Sequence, residues 1–230
     1  MMLLSKISFV LVLGLGLFFN GFESKPKLFV VGDSISMQYG PYLEQYLKGK
    51  FSYDRKRETG DDSGDGERPK FANGGDSGMV LAYLKTKLKS KEFQPDIMLI
   101  NCGLHDIKTD IETGKKQVEI EVYKENLKQI HHLLADRGIP MVWVRTTPVD
   151  DVQHNSKQQT FHRYAADLAS YNEVADNVFE ALNVPIIDLH QFTLNLGDDL
   201  FADHVHFGEA TRKKQAAFIG GFIQGMASKN

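Results

Sequence analysis

The chain has 230 residues, of which 42% are hydrophobic and 25% charged, with a formal net charge of -3. That much apolar material builds one sizeable core, and the length argues for one folded unit rather than two. No basic stripe is available to neutralise a phosphate backbone, which argues against a nucleic-acid partner, and a single cysteine, Cys102, excludes an intramolecular disulfide.

Residues 1–24 open with Lys6 and continue through an uncharged apolar stretch from Ile7 to Phe19, the pattern of a signal peptide or, if uncleaved, an N-terminal anchor. The stretch is shorter than the roughly 20 apolar residues that span a bilayer. A periplasmic or secreted domain over 25–230 is expected, with no stable membrane contact once the leader is removed. Next, Lys27 to Val31 is an apolar run that ends in Gly32-Asp33-Ser34, and Ile35 to Leu47 has helical spacing. The charge-rich and glycine-rich residues 48–70 read as a solvated loop. Phe71-Ala72-Asn73 is expected to close a second strand, Gly74 to Gly78 to turn, and Met79 to Leu88 to form a helix.

The unit then repeats. Pro95 to Asn101 reads as a buried strand, Val118 to Leu134 as a helix stopped by Arg137-Gly138, and Ile139 to Val144 as a strand that runs into the Thr146-Thr147-Pro148 turn. Thr160 to Leu182 is expected to be helical, Val184 to Leu189 to be the fifth strand, and Glu209 to Met226 the last helix. Strands alternating with long helices require parallel pairing through right-handed crossovers. The expected fold is therefore a three-layer α/β/α sandwich on a parallel sheet of about five strands, with reactive groups beyond the carboxyl edge of the sheet.

Two segments at that edge hold residue types suited to nucleophilic chemistry. Ser34 opens a helix, where unpaired backbone N–H groups favour negative charge; read alone it is equally an N-cap. Asp203 and His206 stand three apart before the last helix, offering a base and the acceptor that fixes its tautomer. Asp33 and Asp106 are expected to bond loop backbone, Trp143 to lie in the core, and His131, His132, His154 and His162 to be solvated.

Four short blocks taken together resemble the SGNH/GDSL hydrolases, in that family's order: Gly32-Asp33-Ser34, Asn73-Gly74-Gly75-Asp76-Ser77-Gly78, Gly103-Leu104-His105-Asp106 and Asp203-His204-Val205-His206. The resemblance implies a flavodoxin-like sandwich and a serine esterase with Ser34, Asp203 and His206 as its triad. It also implies an oxyanion hole from Ser34, the backbone of Gly78 (with Gly75 as second choice) and the side chain at position 105. There this chain departs from the family, with histidine where asparagine is usual. No cofactor and no metal are implied. A small-molecule or carbohydrate ester is the expected substrate, with acetyl removal preferred to lysophospholipase or thioesterase action on longer acyl chains, and a monomer is expected. Two rival classes stand beside this reading. Asp33, His105, Asp106, Asp203, His204 and His206 can be written as the Zn or Mn site of a phosphoesterase, and an inactive relative would bind carbohydrate in the same cleft.

Overall fold

The computed structural model describes residues 24–58, 72–158 and 160–228; the expected leader lies outside them, apart from its last residue. Five parallel strands form the sheet, β1 (Lys27–Val31), β2 (Ser52–Arg55), β3 (Ile97–Ile100), β5 (Met141–Val144) and β7 (Ile186–Ile187), in the order β2-β1-β3-β5-β7. A separate two-stranded antiparallel ribbon pairs β4 (Thr109–Asp110) with β6 (Phe161–His162). The sheet begins by stepping from β1 to β2 in one direction and then reverses through β3, β5 and β7. Right-handed crossovers therefore put α1 (Ser34–Leu47) on one face and α2 (Ser77–Lys87), α3 (Ile120–Ala135) and α5 (Ala165–Ala181) on the other. The packing agrees: α1 lies against α7 (Glu209–Ala227), which also meets α6 (Leu189–Leu194), while α2 packs on α3 and α3 on α5.

The three central strands are buried on both faces and consist of apolar runs. Leu28, Val30, Val31, Met98, Leu99, Ile100, Val142 and Trp143 lie at 1% exposure or below. Trp143 is core, as expected, with its ring 4.7 Å from that of Phe179.

Three expectations are corrected. The second strand is Ser52–Arg55, inside the segment read as a loop, and not one closing at Asn73. This edge strand has no apolar run to betray it, because its one fully buried side chain is Arg55, whose guanidinium donates to Ser36 O at 2.7 Å and Ser36 Oγ at 2.9 Å. Ala72 and Gly74 do run beside the sheet, bonding Lys56 O and Gly32 O; Phe71 lies outside the described residues. The helix expected from Thr160 begins at Ala165, after a short helix α4 (Asp151–Lys157) and the ribbon strand β6. Finally, the fifth strand is only two residues long, because Asp188 leaves it to cap α6, accepting Gln191 N–H at 2.9 Å.

Reversal of strand order beside β1 opens a crevice at the carboxyl ends of β1 and β3, where ligands bind in open α/β sheets. The Gly32–Ser34 and Gly103–Asp106 segments leave the sheet at that point.

Candidate active site

Asp33 sets the first side chain of the site. Buried and extended, it caps α1 by accepting Ile35 N–H at 2.9 Å, while its carbonyl takes the Ser36 hydroxyl at 2.7 Å. Gly32 is required there, since a Cβ would stand 2.8 Å from Ser36 Oγ. Ser34 becomes the first residue of the helix, and its own N–H has no acceptor among the described residues. Burial raises the Asp33 pKa, against the opposing pull of the Ile35 and Ser36 N–H groups, Arg163 and His206.

The second element is the turn before α7. Phe201 and Phe207 bridge as short antiparallel partners with stacked rings, and Gly208 N–H bonds Leu200 O at 2.8 Å, so the chain between them is closed into a tight loop. Within it Asp203 Oδ1 accepts the N–H groups of Val205 at 2.8 Å and His206 at 2.7 Å. That leaves Oδ2 facing His206 Nδ1 at 2.8 Å, while His206 Nε2 meets Ser34 Oγ at 3.0 Å. Partial burial pulls the Asp203 pKa up, but the His206 and Val205 N–H groups and the imidazole outweigh it and hold the carboxyl down at about 2. An ionised Asp203 accepts from Nδ1–H, which fixes the tautomer that presents a lone pair at Nε2. Such a chain can draw a proton from the serine hydroxyl.

The third element joins two loops. Asp106 Oδ1 accepts Ser77 N–H at 2.9 Å, tying the turn after β3 to the start of α2. Gly103 takes φ +144° there, and a Cβ would lie 2.5 Å from Thr146 Oγ1. Gly75 N–H is occupied by Asn73 Oδ1 at 2.8 Å, and Met79 N–H by the capping Asp76 at 2.9 Å. Gly78 N–H, between them, has no acceptor among the described residues. His105 is half-buried, and its ring has no hydrogen-bond partner among them either. Burial, reinforced by Lys108 and Arg163 and opposed by Asp76, lowers its pKa to about 4, so it carries a neutral imidazole at neutral pH.

The structure thus joins Ser34, His206 and Asp203 by direct hydrogen bonds and leaves the N–H groups of Ser34 and Gly78 open. Asp33 and Asp106 bond loop backbone, as expected. Burial raises Asp106 to about 7 against the hydrogen bonds from Ser77. The six residues of the rival metal reading do not converge: among the described residues no group of three or more His, Cys, Asp or Glu side chains is placed to hold a metal ion. His154 corrects another expectation, being fully buried rather than solvated. With Arg163, also buried, it is the part of this region that sequence reasoning missed; α4 carries no apolar stripe to mark an inward face.

This is an open α/β sheet with a hydrogen-bonded serine, histidine and aspartate gathered at its switch point. The chain matches the model of the GDSL-like lipase/acylhydrolase family over residues 30–214 and belongs to that family, whose members act on ester bonds. Among solved structures it is similar to the acetyl xylan esterase AlAXEase, with 15% identity, 86% of this chain and 99% of that one covered, and a TM-score of 0.65. A lipase/acylhydrolase from Enterococcus faecalis is similar at 17% identity, 87% and 96% coverage and a TM-score of 0.65. So is a catalytic mutant of an acetylxylan esterase from Geobacillus stearothermophilus, at 15% identity, 85% and 93% coverage and a TM-score of 0.60. None of the curated proteins matches the chain in sequence.

Proposed function

We propose that this enzyme is an exported serine esterase that removes small acyl groups, acetyl above all, from carbohydrate. The observation that carries the reading is the unbroken hydrogen-bond line from Ser34 Oγ through His206 to Asp203. Ser34 Oγ attacks the ester carbonyl while His206 Nε2 takes its proton. The resulting oxyanion is held by the N–H groups of Ser34 and Gly78 and by the His105 ring. Collapse expels the alcohol, which takes the proton from His206 and leaves an acyl-enzyme. Water, deprotonated by His206, then releases the acid and returns the proton to Ser34.

Small acyl groups on a bulky alcohol suit a triad at the surface, with side-chain exposures of 28% for His206 and 44% for Asp203. His105 and His204, which flank this site in sequence and in the loops that build it, are polar and half-exposed, a poor wall for a long acyl chain. Two of the similar structures are of acetyl xylan esterases, and the signal-peptide-like or anchor-like pattern of residues 1–24 is in keeping with a substrate outside the cytoplasm. Hydrolysis of p-nitrophenyl esters from acetate to octanoate tests the acyl preference. Highest kcat/KM on acetate is expected; a maximum at octanoate would replace the reading with a lipase-like one.

His105→Ala is expected to lower kcat by about 100- to 1000-fold, the usual cost of one lost oxyanion donor, with KM and the unfolding midpoint little changed. Because the ring is already neutral at neutral pH, the donor is one imidazole N–H rather than a cation. His105→Asn should accordingly retain most of the rate, and steady-state kinetics on the pair measures both effects.

A further inference from the structure

Arg163 is 6% exposed, yet no carboxylate among the described residues lies within ion-pair distance of it. Its Nε donates to Leu104 O at 2.6 Å, and its plane lies over the Phe161 ring, 4.9 Å from the centroid. Its backbone N–H is fixed by Asn155 Oδ1 at 2.9 Å. Nη1 points at His154 Nε2 at 3.5 Å, and His154 Nδ1 in turn faces His204 Nδ1 at 2.7 Å. A line of contacts therefore runs from the carbonyl beside His105, through a buried cation and a buried ring, to the residue beside Asp203.

The protons on this line are determined by elimination. A guanidinium can only donate, so His154 Nε2 accepts and its proton sits on Nδ1. His154 Nδ1–H then donates to His204 Nδ1, which places the His204 proton on Nε2. One more proton on the pair sets two donors against each other, either between the rings or between His154 and Arg163. The two contacts survive together only with both rings neutral.

We infer that Arg163, His154 and His204 are positioning residues, a strap of neutral rings that fixes the loop carrying Asp203 and His206 against the loop carrying His105. The inference rests on the esterase reading above. The electrostatic surroundings of His154 favour the same neutral state for that ring. Burial, then Arg163, His204 and His162 from β6, lower the His154 pKa to about 4, opposed only by Asp203. A histidine held below its ordinary value favours the folded state most above about 6.5, and that contribution is lost as pH falls toward about 4.

Two substitutions and one spectroscopic measurement test the strap. Asparagine at 204 can accept from His154 Nδ1–H and cannot take up a proton, whereas leucine can do neither. On p-nitrophenyl acetate, His204→Leu is expected to lower kcat by roughly 10- to 100-fold, the scale of a misplaced catalytic group, with KM within about twofold, while His204→Asn stays within about threefold of the parent in kcat. Leucine at parental kcat, or asparagine falling as far as leucine, overturns the inference. In the unsubstituted protein, 15N spectra of the rings should show His154 protonated on Nδ1 and His204 on Nε2, with His154 still neutral at about pH 5. The opposite tautomer, or His154 titrating near its ordinary value, overturns it even if His204→Leu fails to fold. Ser34→Ala keeps the two readings apart: full residual hydrolysis there sinks the Ser34–His206–Asp203 mechanism of the proposed function, whereas the ring tautomers are read without turnover.

Discussion

Ser34→Ala is expected to lower kcat on p-nitrophenyl acetate by about 10⁴- to 10⁶-fold, equivalent to roughly 5–8 kcal/mol of transition-state stabilisation. The substitution removes the attacking atom and little else. Ser34 Oγ has one hydrogen bond, to His206, and the helix start is held by Asp33 and Ser36. Circular dichroism and the unfolding midpoint should accordingly match the parent. A fluorophosphonate probe should label the parent and leave the variant unmarked. Substantial Ser34-independent hydrolysis by the purified variant would reject a serine nucleophile at this position.

Asp203→Asn should have an effect of similar order, a loss of about 10⁴-fold in kcat, for a reason specific to this loop. Asp203 Oδ1 already holds two backbone N–H groups, from Val205 and His206. In the variant only the amide oxygen can take that place, so the NH₂ group must face His206 Nδ1. The imidazole is then driven to the tautomer with its proton on Nε2, where it cannot accept from Ser34. The fold of the loop is kept and the base is disabled. The 15N signature of His206 would show the switch directly, and the kcat–pH profile would show the rate recovering as hydroxide substitutes for the missing base. Near-parental activity would mean that Asp203 acts only as a turn residue.

Much of this site was legible because it lies where patterns change. Leu28 to Val31 is an uninterrupted apolar run broken by Gly32-Asp33-Ser34, and Asp203 and His206 are paired in one short loop. What escaped was polar and inward-facing. Ser52–Arg55 is a strand whose buried member is an arginine bonded to Ser36, so its composition imitates a loop. His154 and Arg163 lie on a short helix and just after a two-residue strand, elements too brief for periodicity to show which side faces in. In both cases burial is made tolerable by hydrogen bonds to residues far away in sequence, and a local pattern holds no trace of those partners.

Ser34 and His206 are 172 residues apart, and the loop that presents His206 leads straight into α7, which packs on α1. The proposed nucleophile is therefore among the first parts of the domain to leave the ribosome and its proposed base among the last. A nascent chain holds a serine with no base beside it until the final helix docks, so hydrolytic power comes only with completion of the fold. Any truncation that removes α7 should yield a protein that is inert toward esters whatever the state of the rest of its sheet.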